Sequence, residues 1–304
     1  MVTARSLSRI KQTGKDQAFD VLNYLFLGIV TISVLYPLIY VMSASVSSPE
    51  AVYQGRVWLL PVDFTLEGYR RIFHNTSIWR GYRNSIYYTV LGTTINLVMT
   101  LAAAYALSRK EFYARKFFTV IFVFTMFFSG GLIPTYLLVK SLGLLDSVWA
   151  MVLPNALAMW NLIITRTYFQ TNIPDDLRDA ALIDGCGNIK FLVRIVIPLS
   201  KPIIAVLILF YGVGHWNEYF NALIYLSDRE MHPLQLVLRG ILIQSQMVED
   251  MFSGETVVEL AQMQKIAELI KYGVIIVASV PLLVLYPFLQ RYFVKGIIIG
   301  SLKG

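Results

Sequence analysis

Residues 173–202, IPDDLRDAALIDGCGNIKFLVRIVIPLSKP, form a polar stretch set between two long apolar runs. A helix can begin at Pro174, whose missing N–H costs nothing in a first turn, and Asp175 and Asp176 suit the positive end of its dipole. Asp184-Gly185 breaks that helix. A second short helix fits residues 188–196, with Ile189, Leu192, Val193 and Val196 on one face, until Pro198 and Pro202 stop it and begin the next apolar run. The pattern predicts a helix–turn–helix lying on a membrane surface.

The rest of the chain requires that membrane. Of its 304 residues 56% are hydrophobic and only 15% charged, and its mean hydropathy is +0.60. A soluble globule of this composition would lack the polar surface to cover itself. A span needs roughly 20 mainly apolar residues, and six are expected, at about 21–45, 84–107, 117–139, 147–169, 202–226 and 272–294. The fold class is thus an all-α integral membrane protein. Residues 1–20 make a short N-terminal segment, and 21–304 make one domain without visible repeats or linkers.

Orientation follows from Lys and Arg, which are retained on the cytoplasmic side. With both termini inside, that face gathers sixteen of the 26 basic residues against seven of the 19 acidic ones. Residues 173–202 then lie in the cytoplasm between spans 4 and 5. The basic balance reports topology, and nucleic-acid binding explains it poorly. The first apolar run is about twice as long as a signal-peptide core, although Ser43-Ala44-Ser45 faintly imitates a cleavage site. The lone Cys186 and three scattered histidines offer neither a disulfide nor a metal cluster.

No G-x-x-x-x-G-K-[ST] loop is present, so nucleotide hydrolysis by that route is not expected of this chain. Gly130-Gly131 reads as a bend or a close-packing point. Two outer segments are long. Residues 46–83 carry Arg70, Arg71, Arg80 and Arg83, either an attraction for an anionic solute or partner or ordinary surface and span-end residues. Residues 227–271 are acidic and include an amphipathic helical pattern over 255–270.

Asp179-Ala180-Ala181, Asp184-Gly185, Ile195 and Ile197-Pro198 resemble the EAA loop of ABC importer permeases, E-A-A-x-x-D-G followed by I-x-L-P. Asp179 stands for the usual Glu, Cys186 for a common Ala and Ile197 for the usual Leu. The resemblance extends to Phe128–Tyr136 (FSGGLIPTY), Leu142-Gly143-Leu144, Trp216-Asn217, Pro233-Leu234-Gln235 and the tail QRYFVKGIIIGSLKG. These are similar to the smaller, maltose-type permease of carbohydrate importers, nearest the subgroup for complex or acidic oligosaccharides such as alginate.

The resemblance implies a multi-pass subunit of the bacterial inner membrane, itself no enzyme and without a cofactor. It would form a heterodimer with a second homologous permease, above two copies of a cytoplasmic ATPase that carry ATP and Mg, and receive solute from an extracytoplasmic binding protein. Asp179, Ala180, Ala181, Asp184, Gly185, Ile195 and Pro198 would form the ATPase-coupling loop, whose bland alternative is an interfacial amphipathic hairpin. The implied cargo is an acidic, alginate-like oligosaccharide. A neutral oligosaccharide is the alternative, and a gradient-driven secondary transporter is the alternative from another class.

Trp216, Asn217, Glu218 and Tyr219 form the candidate substrate path. Two aromatic faces suit a sugar ring, and Asn217 and Glu218 suit its hydroxyls. Since a carboxylate in mid-span is costly, Glu218 should face a cavity, a partner or another helix. A purely structural hydrogen-bonding role for Glu218 is equally open.

Overall fold

The computed structural model describes residues 13–251, 270–287 and 290, and every regular element among them is helical. Residues 255–269 of the amphipathic pattern and nearly all of the C-terminal tail lie outside the described residues. Two compact units are present.

The first unit comprises residues 1–70 and 252–276. Its α1 (Gly14–Ser45) starts in a capping box, in which the Thr13 N–H donates to Asp16 Oδ2 at 3.1 Å. Most of α1 exposes apolar side chains on all sides, as suits a helix bathed in lipid or covered by a partner. Only its last turn is buried: Ala44 packs with Ala51 and Val52 of α2 (Pro49–Tyr53) and with Val57. Ser43 Oγ donates to the Leu59 carbonyl at 2.6 Å, and Tyr69 Oη donates to Ser45 Oγ at 2.9 Å. The Ser43-Ala44-Ser45 triplet is therefore buried and bonded within the fold.

The second unit comprises residues 71–251 and 277–304. The chain boundary between the two units, at Arg70 and Arg71, falls within the helix α3 (Glu67–His74). The axis of the second unit is α4 (Thr76–Ser108), capped by Asn75, whose side chain accepts from Ser77 N at 3.0 Å. Its Asn84, Tyr88, Gly92, Asn96, Thr100, Ala104 and Ser108, four apart, are all buried and follow one ridge that winds around the helix. At 33 residues α4 is about 50 Å long, well beyond the roughly 30 Å of a bilayer core, so it starts eight residues before the expected span.

Several expected spans are interrupted. The run at 117–139 is not one helix but α5 (Arg115–Phe127) and α6 (Leu132–Ser141), bent by 116°. Gly131 sits at the break with φ +84°, a conformation that side chains disfavour. The run at 147–169 divides into α7 (Val148–Val152) and α8 (Met159–Asn172), because Pro154 lacks the N–H that a continuous helix would need. Next come α9 (Asp175–Ile183), α10 (Asn188–Phe191), a π turn (Leu192–Val196) and α11 (Ile197–Leu199). The run at 202–226 is α12 (Lys201–Trp216) and α13 (Phe220–Tyr225), separated at residues 217–219. After α14 (Leu234–Met251), the final described helix α15 covers Ile270–Pro287.

Among the described residues α1, α4 and α15 are each long and apolar enough to cross a membrane. Two bent pairs, α5 with α6 and Asn188–Leu199 with α12, pass the same test jointly. The main core gathers Leu101, Ala104 and Tyr105 of α4, Leu162 and Phe169 of α8, Ala181 of α9, Phe191 and Val196 beyond it, and Leu207 and Tyr211 of α12. That cluster holds the 173–202 hairpin to the helix bundle.

Candidate functional site

The hairpin is built by local chemistry. Pro174 is extended (φ −60°, ψ 143°) and caps α9 from outside, so the helix begins at Asp175 rather than at the proline. At the other end the Cys186 N–H donates to Ala181 O at 2.8 Å and the Gly185 N–H to Leu182 O at 3.0 Å. This is a Schellman motif with Gly185 in its left-handed position, φ +70°. Asp184-Gly185 therefore ends the helix as the sequence suggests.

Pro198, by contrast, does not end the second helix. The widened turn ahead of it, in which the Ile197 N–H reaches Leu192 O, carries the chain through the proline to Leu199. The turn of direction, 85°, falls at Ser200, with Pro202 in the first turn of α12.

Helical periodicity sorts the expected coupling residues. Asp179, Ala180, Asp184, Gly185 and Pro198 are exposed, Ala181 is buried and Ile195 is half-buried. Ala180 and Ala181 thus have different surroundings: Ala181 lets α9 approach the core, and Ala180 is on the outside. The outer surface of the hairpin also carries Ile183 and Ile189, 87% and 81% exposed.

Two ion pairs join α9 to residues 110 and 111, just past the end of α4. Lys110 Nζ meets Asp175 Oδ2 at 2.7 Å, and Arg178 pairs with Glu111. The Lys110 hydrogen bond holds Asp175's carboxyl below its ordinary range, and Asp175 in turn raises the Lys110 ammonium. Glu111 is held low first by its own backbone N–H and then by Arg178.

The bundle interior holds a second arrangement, which the sequence reading missed. Asn96, fully buried, donates through Nδ2 to Asn155 O at 2.6 Å, and its Oδ1 lies 2.7 Å from His215 Nε2. One turn away Thr100 Oγ1 lies 2.7 Å from Tyr211 Oη, which accepts from Ala158 N at 3.3 Å. Thus two polar rungs, Asn96–His215 and Thr100–Tyr211, join α4 to α12, and each also binds backbone of the interrupted 153–158 segment. Polar pairs spaced four apart in apolar helices were the available signal.

Gly92 makes room for the first rung. A Cβ there would lie 2.5 Å from His215 Cε1 and 2.8 Å from its Cδ2.

The expected substrate-path residues separate. Trp216 is 3% exposed, donates from Nε1 to Ala278 O at 3.0 Å and stands 5.9 Å from the Tyr82 ring, so it is packed within the bundle. Asn217 and Tyr219 are exposed, and Arg239 lies 5.3 Å from the Tyr219 ring centre. Glu218 is not within an unbroken helix. It lies in the α12–α13 break and accepts from Asn221 N at 3.0 Å and Asn221 Nδ2 at 3.1 Å, bonding the start of α13. Of the arginines in the 46–83 segment, Arg80 pairs with Glu230 at 2.7 Å.

A helical bundle with interrupted apolar helices and a polar surface hairpin has the architecture of a transport permease. The chain belongs to the family described as "Binding-protein-dependent transport system inner membrane component", whose model matches residues 76–299. It is thus a non-catalytic, multi-pass permease component of an ABC importer in the inner membrane.

It is 42% identical to the protein LplC of Bacillus subtilis (strain 168) over 292 residues, 96% of this chain and 97% of that one. It is also 42% identical to the polygalacturonan/rhamnogalacturonan transport system permease protein YtcP of the same organism, over 95% of this chain and 100% of that one. Among solved structures it is similar to a chain from the crystal structure of a bacterial ABC transporter involved in the import of the acidic polysaccharide alginate. That match has 35% identity and a TM-score of 0.84, covering 93% of this chain and 99% of that one.

Proposed function

We propose that this chain forms half of the translocation path of an ATP-driven importer for acidic oligosaccharides, with the 173–202 hairpin as its ATPase-docking element. The carrying observation is the two-sided hairpin: Ala181, Phe191 and Val196 lock it into the bundle, and Asp179, Ala180, Ile183, Asp184 and Ile189 are left exposed. A rigid hairpin fixed to the core transmits a push, where a flexible one would absorb it. Asp179 helps hold the ATPase, Ala180 permits close approach, and Gly185 sets the turn.

In this reading six spans place both termini and the hairpin in the cytoplasm. The second permease is homologous to this chain, two ATPase copies supply ATP and Mg, and a binding protein delivers solute from outside. Acidic cargo is supported by two similar proteins, one from a transporter that imports alginate and one named for polygalacturonan/rhamnogalacturonan transport. Asn217 and Tyr219, exposed at the α12–α13 break, are the better candidates for solute contact, since Trp216 is packed inside.

The test is to reconstitute the complex with its partner permease, ATPase and binding protein, and to measure ATP hydrolysis with acidic or neutral oligosaccharide loaded. Stimulation by the acidic sugar alone is expected. Stimulation by the neutral sugar alone overturns the cargo assignment, and failure to associate with an ATPase overturns the docking role.

A further inference from the structure

A cavity of about 460 Å³ opens where α4 ends against the hairpin. Its walls include Ala102, Ala106, Phe112, Ile189 and Leu192, all apolar, and two guanidinium groups, Arg109 and Arg178. Arg109 is only 7% exposed. Its Nε donates to Ser108 Oγ at 3.0 Å and its guanidinium carbon lies 5.1 Å from the Tyr105 ring centre, but its Nη1 has no hydrogen-bond partner among the described residues. The same holds for Arg178 Nε. Among the described lining residues Glu111 is the one carboxylate, and it is engaged by Arg178. The lining thus keeps a net positive charge and a buried donor with nothing to bind.

Burying an unmatched charged donor is unfavourable unless something completes it. Guanidinium N–H groups match phosphate oxygens in both geometry and charge. A bare phosphate would leave the apolar walls unused, whereas a phosphate attached to an apolar body would cover both. The cavity also lies at the end of a long apolar helix, where bilayer headgroups are met, and basic pockets between membrane helices hold such groups.

We propose that this cavity binds a phosphate group carried on an apolar molecule, with Arg109 as its principal ligand and Arg178 as the second. An anionic phospholipid headgroup and a soluble phosphate share this chemistry and are separated by the test.

The complete transporter is purified in detergent, delipidated, and titrated separately with phosphatidylglycerol and with inorganic phosphate, following binding by native mass spectrometry and calorimetry. Saturable binding of phosphatidylglycerol is expected, weakened at least tenfold by Arg109→Gln. Glu111→Gln, which removes the competing carboxylate, should tighten it several-fold. Ala106→Leu should block it with every charge in place, so the test stands even where Arg109→Gln does not fold.

Binding of inorganic phosphate with the same variant pattern supports the site and assigns it to a soluble anion. If the complex binds neither probe, as it would were a partner subunit's carboxylate seated on Arg109, the proposal falls. It falls equally if Arg109→Gln and Ala106→Leu bind as the wild type does.

Discussion

The surface hairpin and the polar rungs inside the bundle meet different demands with the same residue types. The hairpin's glycine, Gly185, has open space around its missing Cβ and is needed for its backbone angle. The bundle's glycine, Gly92, has an ordinary helical backbone and is needed because the His215 ring fills the space. A turn glycine answers to its own chain, and a packing glycine answers to a distant helix. Substitution should separate the two.

The largest effect is expected at Gly92. A methyl group there must displace the His215 ring or α12 itself, and overpacking of this kind costs typically 1–3 kcal/mol. Gly92→Ala should lower the thermal midpoint of the detergent-purified permease, and Gly92→Leu should prevent its accumulation in the membrane. His215→Ala removes the obstructing ring, so Gly92→Ala/His215→Ala should recover part of the loss of Gly92→Ala. If the two losses simply add, the contact does not govern stability.

At Gly185 the expected loss falls on transport. A side chain in the left-handed region costs roughly 1–2 kcal/mol, least for Asn. Gly185→Val should therefore insert normally yet lower solute-stimulated ATP hydrolysis at least tenfold, and Gly185→Asn should retain most of it. Equal activity of the two variants would remove the turn from the coupling mechanism.

The rungs themselves come next. Hydrogen bonds between membrane helices contribute on average about 0.6 kcal/mol. A cycle of Thr100→Val and Tyr211→Phe should show a coupling energy near that size in unfolding measurements. Asn96→Ala should cost more than either, because it also leaves the Asn155 carbonyl without its side-chain donor.

This contrast also explains what was legible in the sequence. The Asp175-Asp176 first turn, the Asp184-Gly185 stop and the Gly130-Gly131 bend depend on residues close in the chain, and the structure has all three. Pro198 misled because a π turn, invisible to periodicity, offers a helix a way through a proline. Trp216 and Glu218 are conspicuous groups in an apolar run. Their actual partners, Ala278 O and Asn221, depend on how α12 packs and where it breaks. His215, one residue from Trp216, carries no local signal for the same reason: its partner is Asn96, 119 positions away.

The smallest effect separates the hairpin's own two supports, its buried apolar face and its ion pairs to α4. Asp175's carboxyl lies below 3.8 in the folded chain, so its contribution is present above that value and is lost as pH falls through the lowered one. Lys110's ammonium lies above 10.5, so its contribution is present below that value and is lost as pH rises through the raised one. Between those limits the pair should not respond to pH. Both partners are exposed, so salt should screen what the pair contributes. Hydrogen exchange of the α9 amides should therefore be governed by Ala181 and Phe191 and change only slightly in Lys110→Met at neutral pH. An α9 that opened freely in Lys110→Met, with Phe191 still in place, would mean that the ion pairs, and not the buried face, make the hairpin rigid.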